Sequence, residues 1–237
     1  MTPHISLEAI DASGALREIA DSAGALDAHG TRRQMLRRAG VAGLGFTAGG
    51  VLFNGLLSPA EAATIAWSHK RSKANDAKIA NYALTLEFLE AAFYHQAAQG
   101  GALTDPDVLQ FAQTVGRHEQ AHVEAFQHLL GRAAVKSPTF DFGAAVTDQT
   151  TFMKTSAAVE PVGTAAFAGA TPYLSQTSLL KAALSIHSVE ANHAAWILAL
   201  LKYKFAGSAS PAPNAFNPAY SEKKVLGIVG QTGFIQT

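Results

Sequence analysis

The sequence predicts an all-α fold, a four-helix bundle in which a long crossover joins the second and third helices (B and C). Three observations lead there. Long segments are apolar nearly all round, which is the pattern of helices buried on most faces. Isolated carboxylates recur inside those segments with no cation beside them. Two Glu-x-x-His pairs, Glu119–His122 and Glu190–His193, stand 71 residues apart, each preceded by a lone Glu at nearly equal distance: Glu87 before the first and Glu160 before the second.

The elements follow in chain order. Residues 1–62 are set apart as a leader and export signal. Thr31-Arg32-Arg33-Gln34-Met35-Leu36-Arg37 precedes an uncharged, Gly-rich apolar run from Ala39 to Leu57, and Ser58-Pro59-Ala60-Glu61-Ala62-Ala63 supplies the small residues of a cleavage site. That series reads as a twin-arginine signal cleaved after Ala62. The competing reading is a lone transmembrane anchor, since the uncharged run is long enough to span a bilayer. Its glycines and small-residue exit favour the signal, so no stable membrane insertion is expected after cleavage. The 31 residues ahead of the arginines carry no assigned role.

The bundle itself is expected over residues 63–205. Helix A runs from about Asn75 to Gln99 and stops at Gly100-Gly101. Helix B begins at Asp105-Pro106, with Pro106 suited to a first turn, and ends at Leu130 before Gly131. Residues 131–148 form an irregular crossover. Helix C covers about Thr150 to Gly169 and helix D about Ser175 to Phe205. Pro161, directly after Glu160, would kink helix C or mark its start. Residues 206–237 form a C-terminal extension. The halves echo each other: EFLEAAF lines up with EPVGTAAF, and HEQAHVEAF with VEANHAAWI.

The charges carry the functional reading. Glu190 is the only charged residue between Lys181 and Lys202, and Glu160 the only one between Lys154 and Lys181. Glu87 and Glu90 stand alone between Lys78 and Asp105. A buried carboxylate must be protonated, paired or bound to metal. Glu and His three places apart share one helix face. A single such pair arises by chance about once in 25 glutamates of this composition, so it would be weak alone; the doubled, pre-announced pattern is not. Four carboxylates and two neutral imidazoles balance two divalent ions.

Composition narrows the alternatives. The formal net charge is zero, which removes the electrostatic case for nucleic acid or an anionic membrane. There is no Cys, so any metal is held by oxygen and nitrogen, a donor set that suits iron, manganese or zinc. No Gly-rich phosphate loop or Ser or Cys nucleophile constellation is visible. His118 and Glu124 read as surface residues, and His95 and His187 as hydrogen-bonded core or rim histidines.

Over residues 75–205 the chain resembles the ferritin-like superfamily, specifically exported ferritin-like domain proteins related to desiccation-related proteins. The resemblance is carried by NYALTLEFLEAAFY, HEQAHVEAF, SPTFDF, the Glu160 segment and SVEANHAAW. It implies six metal ligands, Glu87, Glu119, His122, Glu160, Glu190 and His193, with Glu119 and Glu190 bridging two iron or manganese ions. It also implies a supporting role for Tyr94, seven residues after Glu87, where bacterioferritin and rubrerythrin carry Tyr. Glu90 becomes an alternative ligand or a supporting group. The function expected from this is an exported di-metal oxidoreductase acting on oxygen or peroxide, in the periplasm, cell wall or medium, in a chain that could form a homo-oligomer. The alternative is a structural or binding protein of stress protection in which metal only staples the bundle. A metal-free bundle with vestigial ligands is a third reading.

Overall fold

The computed structural model describes residues 63–204 and 210–236. The expected export signal and its leader therefore lie outside the described residues, as does the start of the C-terminal extension.

Four long helices dominate: α1 (Lys73–Gln99), α2 (Pro106–Leu130), α4 (Gln149–Ala170) and α5 (Thr177–Lys204). They match helices A to D, with ends within two residues of those expected. Their starts are fixed by side-chain caps. Ser72 accepts from the Asn75 amide, Asp105 from the Asp107 and Val108 amides, and Asp148 from the Thr151 amide. Each satisfies amides that a first helical turn leaves open. Pro161 does not start a helix: α4 runs through it. Its ring removes one backbone bond, to the Ala157 carbonyl, and the surrounding helix holds Glu160 in the interior regardless.

The apolar residues form two clusters, one toward each end of the bundle. On α1 the first cluster takes Ile79 to Phe88, together with Ala91, and the second takes Leu89 and Phe93 to Ala97. α2 meets them in the reverse order, with Val108 to Val115 in the second cluster and Val123 and Phe126 in the first. α4 also runs from the second (Phe152, Met153) to the first (Ala166, Phe167, Ala170), while α5 runs from Ala183 and Ile186 to Ile197 and Leu200. Helices α2 and α4 thus point the same way, so the chain between them must travel the length of the bundle.

That crossover is more ordered than its sequence suggests. It contains a 3-10 turn (Gly131–Ala133), a two-residue strand β1 (Thr139–Phe140) and a one-turn helix α3 (Ala144–Thr147). Val135 packs on the first cluster, Phe142 belongs to the second, and Phe140 touches both. Asn81 holds its beginning: the side-chain amide donates to the Ala133 carbonyl at 2.9 Å, and its oxygen accepts from the Val135 amide at 2.9 Å.

The C-terminal extension returns to the bundle. Helix α6 (Glu222–Thr232) packs on α4, and strand β2 (Ile235–Gln236) pairs antiparallel with β1, Phe140 opposite Ile235. The Tyr220 amide donates to the Ala165 carbonyl of α4 at 2.9 Å. The approach is so close that a Cβ on Gly169 would collide with the Tyr220 backbone. A buried Asp76 ties the other end, accepting from the Ser175 amide and hydroxyl, both at 2.7 Å, and from Gln176 at 3.0 Å. Burial pushes the Asp76 carboxyl up, and these hydrogen bonds outweigh it and hold it below the usual range. No helix among the described residues is long and apolar enough to cross a membrane.

Candidate metal centre

Between the two apolar clusters, at the middle of all four long helices, lies a layer of acid and imidazole. Glu87 and Glu90 come from α1, Glu119 and His122 from α2, Glu160 from α4, and Glu190 and His193 from α5. Glu87, Glu119, Glu160 and Glu190 are fully buried, Glu90 and His193 nearly so. Helical spacing explains the pairing within a helix: three residues bring Glu119 and His122, or Glu190 and His193, back to one face.

The atoms form two groups that could each hold a cation: Glu87, Glu119, His122 and Glu190; and Glu119, Glu160 and His193. Glu119 belongs to both. In the first, His122 Nδ1 lies 3.1 Å from Glu87 Oε2, 3.0 Å from Glu119 Oε2 and 3.6 Å from Glu190 Oε1. In the second, His193 Nδ1 lies 2.9 Å from Glu119 Oε1 and 3.5 Å from Glu160 Oε2. Glu190 Oε1 is also 4.0 Å from His193 Nδ1, so this carboxylate sits between the two histidines. Glu119 is thus shared by the two groups, Glu190 Oε1 lies within 4.0 Å of both histidines, and all six residues expected from the sequence lie in one layer.

The residues fit divalent metal. Glu87 Oε1, Glu160 Oε2 and both oxygens of Glu190 are buried without a hydrogen-bond partner, and Glu119 Oε1 and His193 Nδ1 face each other without hydrogen-bond alignment. Leaving such atoms unsatisfied costs about 1–3 kcal/mol each, more where the group is charged. Ligand atoms at bonds of about 2.1 Å from a common ion sit about 3 Å from one another, close to the shorter separations found here. Carboxylate oxygen with imidazole nitrogen is the donor set of iron, manganese or zinc.

The electrostatics say the same from the other side. Without a cation, burial and then the neighbouring carboxylates push Glu87, Glu90 and Glu190 well above the usual range. Burial also raises Glu160, against the pull of His193. Burial would raise Glu119 as well, but the bonds to His122 and His193 win and hold it at about 2. His193 is driven down by burial and up by Glu119 and Glu160, and settles at about 9. A proton on the ring thus does part of the neutralising work that a metal ion would do.

Supporting residues surround the layer. Tyr94, fully buried, donates from its hydroxyl to Glu160 Oε1, which places its support on the α4 carboxylate. Glu90 stands apart from both groups but close to Glu190: a Cβ on Gly163 of α4 would come within 2.7 Å of Glu190 Oε2 and 3.1 Å of Glu90 Oε1. His118, expected as a plain surface residue, is exposed, yet its Nδ1 lies 2.8 Å from His193 Nε2 with the rings stacked. One turn before His122 and next to Glu119, it had the spacing of a site residue. Its reach to α5 depends on helix packing that a single sequence does not display. Glu124 is exposed and bonded to Gln120, His95 is exposed beside Gln99, and His187 Nδ1 lies 3.1 Å from the Thr164 carbonyl.

Comparison with known proteins finds a family match, described as a ferritin-like domain, over residues 75–203. That span is more than half of the chain and holds every residue of the two groups. No curated protein matches the chain.

Proposed function

Because this chain belongs to the ferritin-like domain family, we propose that it is a di-metal carboxylate protein, holding two iron or manganese ions and acting on dioxygen or peroxide outside the cytoplasm. The observation that carries this reading is the sharing of Glu119 between the two groups, with Glu190 poised between His122 and His193. One ion would leave half of the buried acceptors unsatisfied. Two divalent ions neutralise Glu87, Glu119, Glu160 and Glu190 charge for charge.

The chain's own residues then have distinct tasks. Glu119 and Glu190 would be shared by the two ions, with His122 and Glu87 holding one and His193 and Glu160 the other. Tyr94 fixes the orientation of the Glu160 carboxylate through its hydroxyl. His118 holds the outer nitrogen of His193, which leaves Nδ1 free to face the centre; a partner of this kind raises ligand basicity and fixes the ring. The apolar clusters cover the layer toward the two ends of the bundle. A pair of iron or manganese ions held there would supply redox chemistry toward dioxygen or hydrogen peroxide.

Export belongs to the same proposal and rests on the sequence alone: Arg32-Arg33, the uncharged run and the small-residue exit at Ala62. The twin-arginine route carries folded proteins, so metal would be acquired before export.

Elemental analysis of the purified protein, with Glu119→Ala and His193→Ala as controls, tests the reading. About two equivalents of iron or manganese per chain, sharply reduced in both variants, together with peroxide or oxygen consumption that follows metal content, is the expected result. Metal that is bound but redox-silent, with variants that lose only thermal stability, would move the protein to the stapled-bundle reading. No bound transition metal after anaerobic reconstitution would end the metal proposal.

A further inference from the structure

A cavity of about 360 Å³ lies between α1, α4 and α6. It is open to solvent where Lys154 and Ala158 of α4 are exposed. Its walls are mostly apolar, with Leu86, Leu89, Val162, Val229 and Phe234 among them, and the buried Glu90 of α1 is part of the lining, away from the exposed Lys154 and Ala158. Glu90 is 3% exposed, and what acts on its carboxyl is burial and the charges of Glu190, Glu160, Glu119 and Glu87, with no hydrogen-bond donor among them. Beside it is Gly163. The missing side chain there leaves open the gap behind which Glu190 Oε2 stands, so the cavity ends against the ligand layer.

We propose that this cavity binds a small neutral organic molecule, apolar over most of its length and carrying one hydrogen-bond donor, an alcohol or phenol, that sits on Glu90. The size is that of pockets that enclose a compact ligand. The walls favour an apolar body. Away from the mouth a buried acceptor lacks a donor, and Glu90 accepts through a carboxyl oxygen whether or not it carries a proton. Charge sets the rest: an anion would meet the carboxylate layer, and a cation would have to pass Lys154 at the mouth, so a neutral donor fits best. α6 supplies one wall, which gives the C-terminal extension a task at the site. The proposal deepens the metal reading, since it places an organic substrate or reductant next to Glu190, but the binding step itself needs no metal.

The test uses the full protein as purified, its metal content measured on the same sample. Isothermal titration calorimetry with 4-propylphenol is expected to give saturable one-site binding. 4-Propylanisole, which lacks the donor, should bind about tenfold more weakly, the worth of one hydrogen bond to a charged or buried acceptor. Ala158→Trp, at the exposed mouth, should abolish binding, and Thr155→Trp serves as a second block if the first melts early. Absence of saturable phenol binding overturns the proposal, as does equal binding of phenol and anisole, or undiminished binding in folded tryptophan variants. Phenol binding in a sample without metal would uphold the cavity while the metal reading fails; metal without phenol binding would do the reverse.

Discussion

Gly163→Ala separates the fold from the site. Within a helix, replacing Gly by Ala ordinarily stabilises by about 0.5–1 kcal/mol, because glycine loses more backbone freedom on folding. At position 163 the added methyl would lie 2.7 Å from Glu190 Oε2 and 3.1 Å from Glu90 Oε1. Ordinary contact begins at about 3.4 Å, so the Glu190 carboxylate must retreat by roughly 0.7 Å. Both obstructing atoms are the ends of flexible side chains, so the helix itself need not move and the fold should hold. Metal–ligand distances, in contrast, tolerate only about 0.2 Å. The expected outcome is a metal-free protein whose melting temperature is unchanged or slightly raised, with metal affinity reduced by about 10- to 100-fold. Competition titration against a chelator gives the affinity, and calorimetric melts of the chelated protein give the stability. Wild-type affinity in the variant, or a metal-free fold weakened by more than about 2 kcal/mol, would refute the reasoning that Gly163 exists to make room for these carboxylates.

Two further outcomes follow from the same geometry. His118→Ala removes the partner of His193 Nε2 and should weaken metal binding about tenfold or more with little change in the fold, while His118→Gln recovers part of the loss; the same chelator competition reads both. The metal-free protein should be most stable near pH 5 and lose stability as pH rises. Carboxyls raised above 4.5 in the folded state (Glu87, Glu90, Glu190) favour folding while protonated, and His193, raised from 6.5 to about 9, contributes below 6.5 and loses its contribution through 9. His193 alone is worth on the order of 3 kcal/mol over that interval. Glu119, held at about 2, works the other way but only as pH falls below 4.5. A divalent cation displaces these protons, so its affinity should grow as pH rises. Thermal melts with and without chelator from pH 5 to 9 check this, and a metal-free protein more stable at pH 8 than at pH 5 would contradict it.

The four helices could be read because their charges are so few. Glu160 and Glu190, each alone in a long apolar stretch, marked both the helix and its buried face, and Asp105-Pro106 marked the start of the second helix. Pro161 misled in part, since local backbone chemistry allowed it to be a helix start as well as a kink, and the helix instead runs on both sides of it, with Phe152, Met153 and Phe167 packed in the core. The crossover and tail were opaque for a different reason. A two-residue strand has no periodicity, and β1 meets β2 only because residues nearly a hundred positions apart are brought together by everything between them. The same limit hid His118 and Gly163: each matters for what it meets on another helix, and one sequence carries no record of that meeting.

The order of the helices has a consequence for what holds the molecule together. α1 with α2, and α4 with α5, are two antiparallel hairpins, each bringing one lone Glu and one Glu-x-x-His. Neither candidate group is drawn from a single hairpin: the first takes Glu190 from the second hairpin, and the second takes Glu119 from the first. An ion in either group is therefore a cross-link between two half-molecules that the covalent chain joins through residues 131–148. The polypeptide crossover sets the local concentration of one half around the other, and bound ions would act as rivets through the seam.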